Sequence, residues 1–427
     1  MEISPNTQAI LLLTAPLIAG KKAEQARLLT LADYNRFARC LREAGKEPAD
    51  LLGPDAGALL EACAARFGRE RLEILLGRGF LLGQAVDQWH SRGIWVISRA
   101  DTGYPRRLKS RLREDAPAIL YGCGEVGLLD AGGLAVVGSR HVDEELVCYT
   151  KRLGAMAAEA GTAVVSGAAR GIDSSAMSGA LDSGGRVIGV MADSLGRAAL
   201  AKGNREALRE GRLVMISAFD PGAGFNVGHA MQRNKMIYAL ADAGLVVTSD
   251  FQKGGTWAGA IEQLQKYHFG PVFVRNGEAV GKGNAALIQH GGRPWPEPRN
   301  GEELLVALTG AKEAKAQEPQ QDYLGLRLCE EPAPYKTGKV ALEPPPSDAI
   351  AATSVDRTPA VQLIESVRSI LSDVLTKPMT EQEVAELLDV SKAQAKSWLV
   401  RLVKSGSLEK LNKPVRYQAV GASWRLF

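Results

Sequence analysis

Two short stretches of this chain carry a phosphate-binding pattern. Gly138-Ser139-Arg140 follows the apolar run Ala135-Val136-Val137, and Ser166-Gly167-Ala168-Ala169-Arg170-Gly171-Ile172-Asp173 follows Val164-Val165. Each is an apolar run ending in a Gly/Ser turn that holds one arginine. Such turns present backbone N–H groups at the start of the next helix, where an anion is stabilised. Arg140 and Arg170 add forked, permanently charged donors at the same places. Two further segments share this chemistry. Phe225 to Lys235 brings Arg233, Asn234 and Lys235 toward a helix expected over Met236–Ala241, where cations oppose the helix dipole and so point to a ligand. Lys253-Gly254-Gly255-Thr256-Trp257 combines a cation, a glycine-rich turn and an aromatic, which suits a phosphate and a stacked base; a packing role for Trp257 is the alternative.

Parallel strands are the elements that line up such turns at one rim. Apolar runs at Leu134–Val137, Ala163–Ser166, Arg186–Met191, Leu213–Ser217, Gly244–Ser249 and Pro271–Val274 alternate with helical segments. Strands apolar on both faces require a sheet covered by helices on both sides. The expectation is an α/β, Rossmann-like doubly wound parallel sheet over residues 91–310, with ligands beyond the carboxyl ends of its strands. Ahead of it, Gly93–Ser98 and Ala116–Gly122 read as two strands. The dinucleotide fingerprint Gly-x-Gly-x-x-Gly does not follow the first strand of the α/β pattern, which argues against a nicotinamide dehydrogenase.

The flanks differ in pattern. Residues 1–90 show helical periodicity broken by Gly45, Pro48, Gly53, Pro54 and Gly68, a small helical module of the SAM/HhH-like kind. It suits either DNA-backbone contact or protein packing. Residues 311–359 are rich in Pro, Glu, Ala and Gln and read as a flexible linker. Over 360–427 the order is helix (Val361–Leu375), helix (Thr380–Leu388, opened by a Thr380/Glu383 capping box), helix (Ser391 to about Lys404) and a hairpin turning at Asn412-Lys413-Pro414. That is the order of a winged helix–turn–helix. Its third helix carries Lys392, Lys396, Arg401 and Lys404 and no acid, which marks it as a second nucleic-acid surface; protein interaction is the competing use.

Bulk properties agree with a multidomain globular protein. The chain has 427 residues, 45% hydrophobic and 23% charged, with a net charge of +4 that says little by itself. Its five cysteines form no Cys-x-x-Cys pair and its five histidines no ligand spacing, so neither a disulfide framework nor a metal site is expected. A reducing, cytoplasmic location is the simplest inference. Ala9–Ala19 is apolar, but it follows Glu2 and is too short to cross a bilayer, so a buried first helix is expected and no membrane association.

In their order, these motifs resemble the DNA-processing protein A (DprA/Smf) family. The carriers are Asp101-Thr102-Gly103-Tyr104-Pro105, Val137-Gly138-Ser139-Arg140, Ser166 to Asp173, Arg233-Asn234-Lys235-Met236-Ile237, the Gly254–Ala260 loop and Gly283-Asn284-Ala285-Ala286-Leu287-Ile288. The resemblance covers Gly93 to about Pro296, and loosely both flanks. It implies a non-enzymatic, cofactor-free protein that binds single-stranded DNA, loads RecA recombinase in natural transformation, and dimerises through the Rossmann-like domain. Arg140, Arg170 and Arg233 are then the leading DNA contacts, followed by Lys235 and Lys253, with Gly138, Ser139, Ser166, Gly167, Asn234, Gly254 and Gly255 forming the turns around them.

Three departures mark a divergent branch: Met177 where a histidine is usual, the Phe225–His229 loop, and the middle of Gly255–Ala260. They leave recombination, repair and defence against foreign DNA open beside transformation. Two other functions stay in view. The nearest match to the phosphoribohydrolase (LOG) loop, Gly254 to Glu262, lacks its proline and misplaces its second Gly-Thr, and a nucleotide-sensing role would use the same cleft.

Overall fold

Each apolar run of the α/β region becomes a short strand that stops where its glycine, serine or polar turn begins. The computed structural model describes residues 3–18, 27–54, 56–224, 226–277 and 280–317, and, toward the C-terminus, 371, 378–387, 395, 398, 399, 402, 403, 408–412 and 415–419. The strands are β1 (Trp95–Ser98), β2 (Ile119–Gly124), β3 (Leu134–Val137), β4 (Val164–Ser166), β5 (Val187–Met191), β6 (Leu213–Ser217), β7 (Ala243–Val246), β8 (Val272–Val274) and β9 (Arg293–Pro294). They form one sheet in the order β1-β2-β6-β5-β4-β3-β7-β8-β9. From β6 across to β9 every pairing is parallel, whereas β2 lies antiparallel to β6 and to β1. The sheet is therefore mostly parallel, with an antiparallel edge supplied by the two strands read ahead of the α/β pattern.

Side chains alternate across this sheet into two cores. Leu134, Val136 and Val164 point into one, and Ala135, Val137 and Val165 into the other. Strand order reverses beside β3: β4, β5 and β6 lie to one side and β7, β8 and β9 to the other. Loops leaving neighbouring strands in opposite directions open a crevice at that point, the usual ligand seat of a doubly wound sheet.

Among the described residues five α-helices precede the sheet: α1 (Pro5–Thr14), α2 (Leu31–Glu43), α3 (Ala56–Phe67), α4 (Arg69–Leu76) and α5 (Gly79–His90). Ser4 caps α1 and Pro5 opens it, and Ala9 to Leu13 are buried around its whole girth, as the apolar Ala9–Ala19 run predicts. Each large aliphatic chain buried there contributes about 1.5–3 kcal/mol. The Asp101 carboxylate accepts hydrogen bonds from Ser4 Oγ (2.5 Å), Thr7 Oγ1 (2.5 Å) and the Ser98 N–H (2.7 Å), tying α1 to the turn after β1. Trp89 packs edge-on against Tyr121 of β2 at 5.0 Å. One apolar cluster thus runs from these helices onto a face of the sheet.

The remaining helices of this part are α6 (Arg106–Leu112), α7 (Glu144–Glu159), α8 (Ile172–Asp182), α9 (Leu195–Leu200), α10 (Arg205–Arg209), α11 (Val227–Leu240), α12 (Gly254–Glu262), α13 (Lys282–Gln289) and α14 (Gly301–Gln317). Helix α14 runs past residue 310, so the first residues of the expected linker are helical. The rest of the linker lies outside the described residues. Among the described residues no helix is long and apolar enough to cross a membrane, and no group of three or more His, Cys, Asp or Glu side chains gathers at one point.

The chain divides into two compact units, Met1–Leu326 and Arg327–Phe427. In the second, Thr380 and Glu383 exchange the two hydrogen bonds of a capping box (2.7 and 3.3 Å) at the start of the helix Glu381–Leu387. Leu408–Asn412 and Val415–Ala419 pair antiparallel, with Asn412 opposite Val415. Leu371, Met379, Val384, Leu399, Leu402, Leu408 and Tyr417 share an apolar cluster. The capping box and the hairpin agree with the sequence pattern. Lys392, Lys396, Arg401 and Lys404 lie outside the described residues.

Candidate nucleic-acid interface

The turns after β3 and β4 interlock. A Cβ at Gly171 would meet the Ser139 and Arg140 carbonyl oxygens at 2.5 and 2.8 Å, and φ there is +82°, so only glycine lets the second turn lie against the first. A Cβ at Gly138 would strike Ile172 at 2.5 Å. Ala168 takes a left-handed φ of 53°, an unusual conformation for a residue with a side chain. The loop after β7 joins them through α12: Thr256 Oγ1 donates to the Gly138 carbonyl (3.0 Å), and Asn234 Nδ2 donates to the Gly255 carbonyl (2.9 Å).

These loops and α11 enclose a cleft of about 460 Å³. Gly138, Ser139, Arg140, Arg233, Asn234, Lys253, Gly254 and Gly255 line it, together with Asp173, Tyr238 and Thr256. Arg140, Lys253, Gly254 and Gly255 are exposed, so two cations and the N–H groups that open α12 face the same space.

Arg233 occupies a different place from the one its sequence neighbourhood predicts. Helix α11 starts at Val227, capped by Asn226, whose side chain accepts from the Gly228 N–H at 2.7 Å. Arg233, Asn234 and Lys235 therefore sit within the helix rather than in a loop before Met236. The Asn226 cap was the overlooked signal; Gly228 and the polar run after it masked the early start. Arg233 is only 7% exposed and donates from Nη1 to Asp173 Oδ2 at 3.2 Å. The Asp173 carboxyl is also held by the Gly138 and Ala169 N–H groups. Burial pushes its pKa up, and Arg233 and these hydrogen bonds pull the other way without cancelling it. Arg233 Nε and the buried Tyr238 hydroxyl have no hydrogen-bond partner among the described residues.

Gly167 serves this ion pair. A Cβ there would lie 1.2 Å from Arg233 Nη1 and 2.7 Å from Asp173 Oδ2, so the missing side chain is the notch through which the guanidinium passes. Ser166 is fully buried and donates its hydroxyl to the Val136 carbonyl at 2.6 Å, locking β4 to β3. Arg170 is exposed but does not line the cleft. Lys235 pairs with Glu262 at 3.4 Å and lies 5.6 Å above the Tyr267 ring. Trp257 is half-buried, edge-on to Phe251 (5.4 Å) and His290 (6.0 Å), and is not part of the cleft wall.

Three residues matter here that were not named as site candidates. Asp173 and Tyr238 form the floor with Arg233. Asn284, fully buried, holds the loop after β7: its Oδ1 accepts from the Ser249 N–H (2.8 Å), and its Nδ2 donates to the Val247 (3.1 Å) and Arg275 (2.9 Å) carbonyls. The Gly-Ile-Asp and Gly-Asn motifs contained the signal for Asp173 and Asn284. Tyr238 had none.

Comparison with known proteins is consistent with this architecture. Residues 95–300 match the family model for DNA recombination-mediator protein A. A putative DNA processing protein DprA of Mycobacterium tuberculosis is 28% identical over 233 residues, covering 52% of this chain and 56% of that protein, so the match spans little more than half the length of that relative. DNA processing protein DprA of Bacillus subtilis is 27% identical over 220 residues, covering 50% of this chain and 71% of that protein. The solved DNA processing protein A of Streptococcus pneumoniae shares the fold, with a TM-score of 0.53 at 21% identity over 72% of this chain and 98% of that one. The family match falls on the sheet and the loops that build the cleft, and on that ground the chain belongs to the DNA-processing protein A (DprA/Smf) family.

Proposed function

We propose that this chain is a recombination mediator that binds single-stranded DNA in the cleft beside β3. The observation that carries the reading is the convergence of Arg140, Lys253 and the first N–H groups of α12 on one cavity. Exposed cations and helix N–H groups suit phosphate oxygens, and they hold a strand by charge with little regard for its sequence. The cleft's volume is that of a small-ligand pocket, which admits the backbone of one strand more readily than a duplex. Gly138, Ser139, Gly254 and Gly255 supply the close backbone approach, and Arg170 extends the positive surface beyond the cleft. Arg233 and Asn234 act from beneath.

Family resemblance extends the proposal to RecA loading onto the bound strand, to a homodimer through the sheet domain, and to a role in natural transformation, repair or defence inside the cytoplasm. In the C-terminal unit the capping box, hairpin and apolar cluster support a winged helix, whose Lys392, Lys396, Arg401 and Lys404 form a second DNA surface.

Fluorescence anisotropy with a labelled oligonucleotide tests the main reading. The full chain should prefer the single strand to the duplex by at least tenfold, and Arg140→Ala combined with Lys253→Ala should remove that binding. Equal competition by duplex, or an unchanged double variant, overturns it.

A second reading, a nucleotide ligand, is favoured by the unpartnered Arg233 Nε and Tyr238 hydroxyl on the cleft floor, which a small nucleotide reaching that depth would satisfy. Displacement of the labelled strand by a nucleoside monophosphate separates the two. The phosphoribohydrolase reading has less support: Glu262, the carboxylate its loop would need, pairs with Lys235 and does not line the cleft.

A further inference from the structure

The cysteines look scattered in sequence, but the helices ahead of the sheet bring two of them together. Cys40 on α2 and Cys63 on α3 are 23 residues apart, and their sulfurs approach to 2.9 Å. Both are free thiols. A small crevice of about 190 Å³ opens over them, with Arg36 and Arg39 in its wall and Glu43 as its acid.

We propose that Cys40 and Cys63 are an oxidisable dithiol, with Cys40 as the attacking thiol, Cys63 as the resolving thiol, and a small anionic disulfide of the glutathione class as oxidant. Four features support the assignment of roles. Cys40 is half-buried and can be reached, whereas Cys63 is buried behind it. Arg36 lies one helical turn before Cys40 on the same face and Arg39 is its neighbour in sequence; each spends part of its guanidinium on a carboxylate, Arg36 on Asp33 (2.6 Å) and Arg39 on Glu114 (2.8 Å), and the remaining N–H groups in the crevice wall can donate to an anionic reagent. Burial first, and then the adjacent sulfur, pushes the Cys63 thiol up to about 12, so Cys63 keeps its proton while Cys40 reacts. The sulfurs need to close only from 2.9 Å to the bonded distance of about 2.05 Å, a movement that helix side chains can supply.

The chemistry balances in two exchanges. The Cys40 thiolate attacks one sulfur of the small disulfide and expels one small thiolate, leaving a mixed disulfide on Cys40. Cys63 then attacks Cys40 Sγ, and the second small thiolate departs. The two thiol protons end on the two released thiolates, and two electrons have passed from the protein to the reagent. The product is a covalent staple between α2 and α3. In a reducing compartment such a bond is transient and reports the redox state. The other described cysteines lack this arrangement: Cys123 is buried in β2, its thiol pushed up to about 11 by burial, and Cys148 is exposed on α7.

The test uses the full chain incubated with oxidised glutathione, followed by denaturing alkylation and peptide mass spectrometry. The expected result is a Cys40–Cys63 cross-linked peptide that has lost two hydrogens and is reversed by a dithiol reductant. Cys63→Ser should trap a glutathione adduct on Cys40, and Cys40→Ser should leave Cys63 unmodified. A background with both Cys148→Ser and Cys329→Ser limits links between chains. If Cys40 remains alkylatable while Cys148 is modified, or if Cys63→Ser carries no adduct on Cys40, the proposal is overturned.

Discussion

The cleft has a floor and a rim, and the two use arginine in opposite ways. On the floor Arg233 is buried against Asp173, and its position depends on a glycine that leaves room for it. On the rim Arg140 and Lys253 are both exposed and line the same cleft. A buried ion pair loses hydration that its mutual attraction only partly restores, yet breaking one partner leaves an uncompensated group and costs more. An exposed cation keeps most of its hydration, so any contact it makes with the fold is worth little and a phosphate can compete for it. Floor residues should therefore report in stability, and rim residues in affinity.

The largest test of this contrast is Arg233→Met, which should cost about 3–5 kcal/mol in urea unfolding by stranding Asp173. A loss below about 1 kcal/mol would mean the pair does not hold the floor together. Next is Gly167→Ala, whose methyl group would overlap the guanidinium. About 1–3 kcal/mol is expected from such overpacking, read in the same unfolding curves. Rim substitutions come third. Arg140→Ala and Lys253→Ala should each leave the unfolding midpoint unchanged, weaken single-strand binding by roughly three- to tenfold and lower the slope of log affinity against log salt by about 1. A shifted midpoint would erase the distinction between rim and floor.

The smallest effect concerns pH. The Asp173 pKa is raised by burial, so its carboxylate takes up a proton at a higher pH than an exposed aspartate would. As the pH falls toward the ordinary aspartate range, and before an exposed aspartate would be protonated, the cleft should lose negative charge and bind a strand more tightly. Titrated by anisotropy, Asp173→Asn should show a shallower rise over this window. Because the folded state holds that proton more tightly than the unfolded chain, Asp173 favours folding while protonated and loses that contribution as pH climbs through its raised pKa.

Much of the sheet was legible because its information is local. The six apolar runs of the α/β pattern each end near an observed strand, and the first helix is as buried as its composition requires. The antiparallel edge was not legible, since nothing in the short β1 and β2 runs fixes strand direction. The site was half legible for a related reason. Glycine and arginine mark phosphate turns wherever they occur, but whether an arginine points outward depends on what crosses behind it. Gly167 read as a turn residue and proved to be the space for a side chain more than sixty positions away. The motif Asp101–Pro105 belongs with it: Asp101 anchors α1, and the Tyr104 hydroxyl donates to the Pro117 carbonyl at 2.9 Å. The pairing of Cys40 with Cys63 was equally hidden, because helix packing rather than spacing creates it.

Asn284 has one more implication, for how this protein can be altered. A single amide spans the loops that follow two neighbouring strands, so the height of Lys253 above the sheet is dictated from a helix thirty residues downstream. Swapping the loop after β7 for that of a relative, or lengthening it, would put at risk the two bonds to Ser249 and Val247 unless α13 came with it. Evolution and engineers alike should find these two segments inherited as a pair.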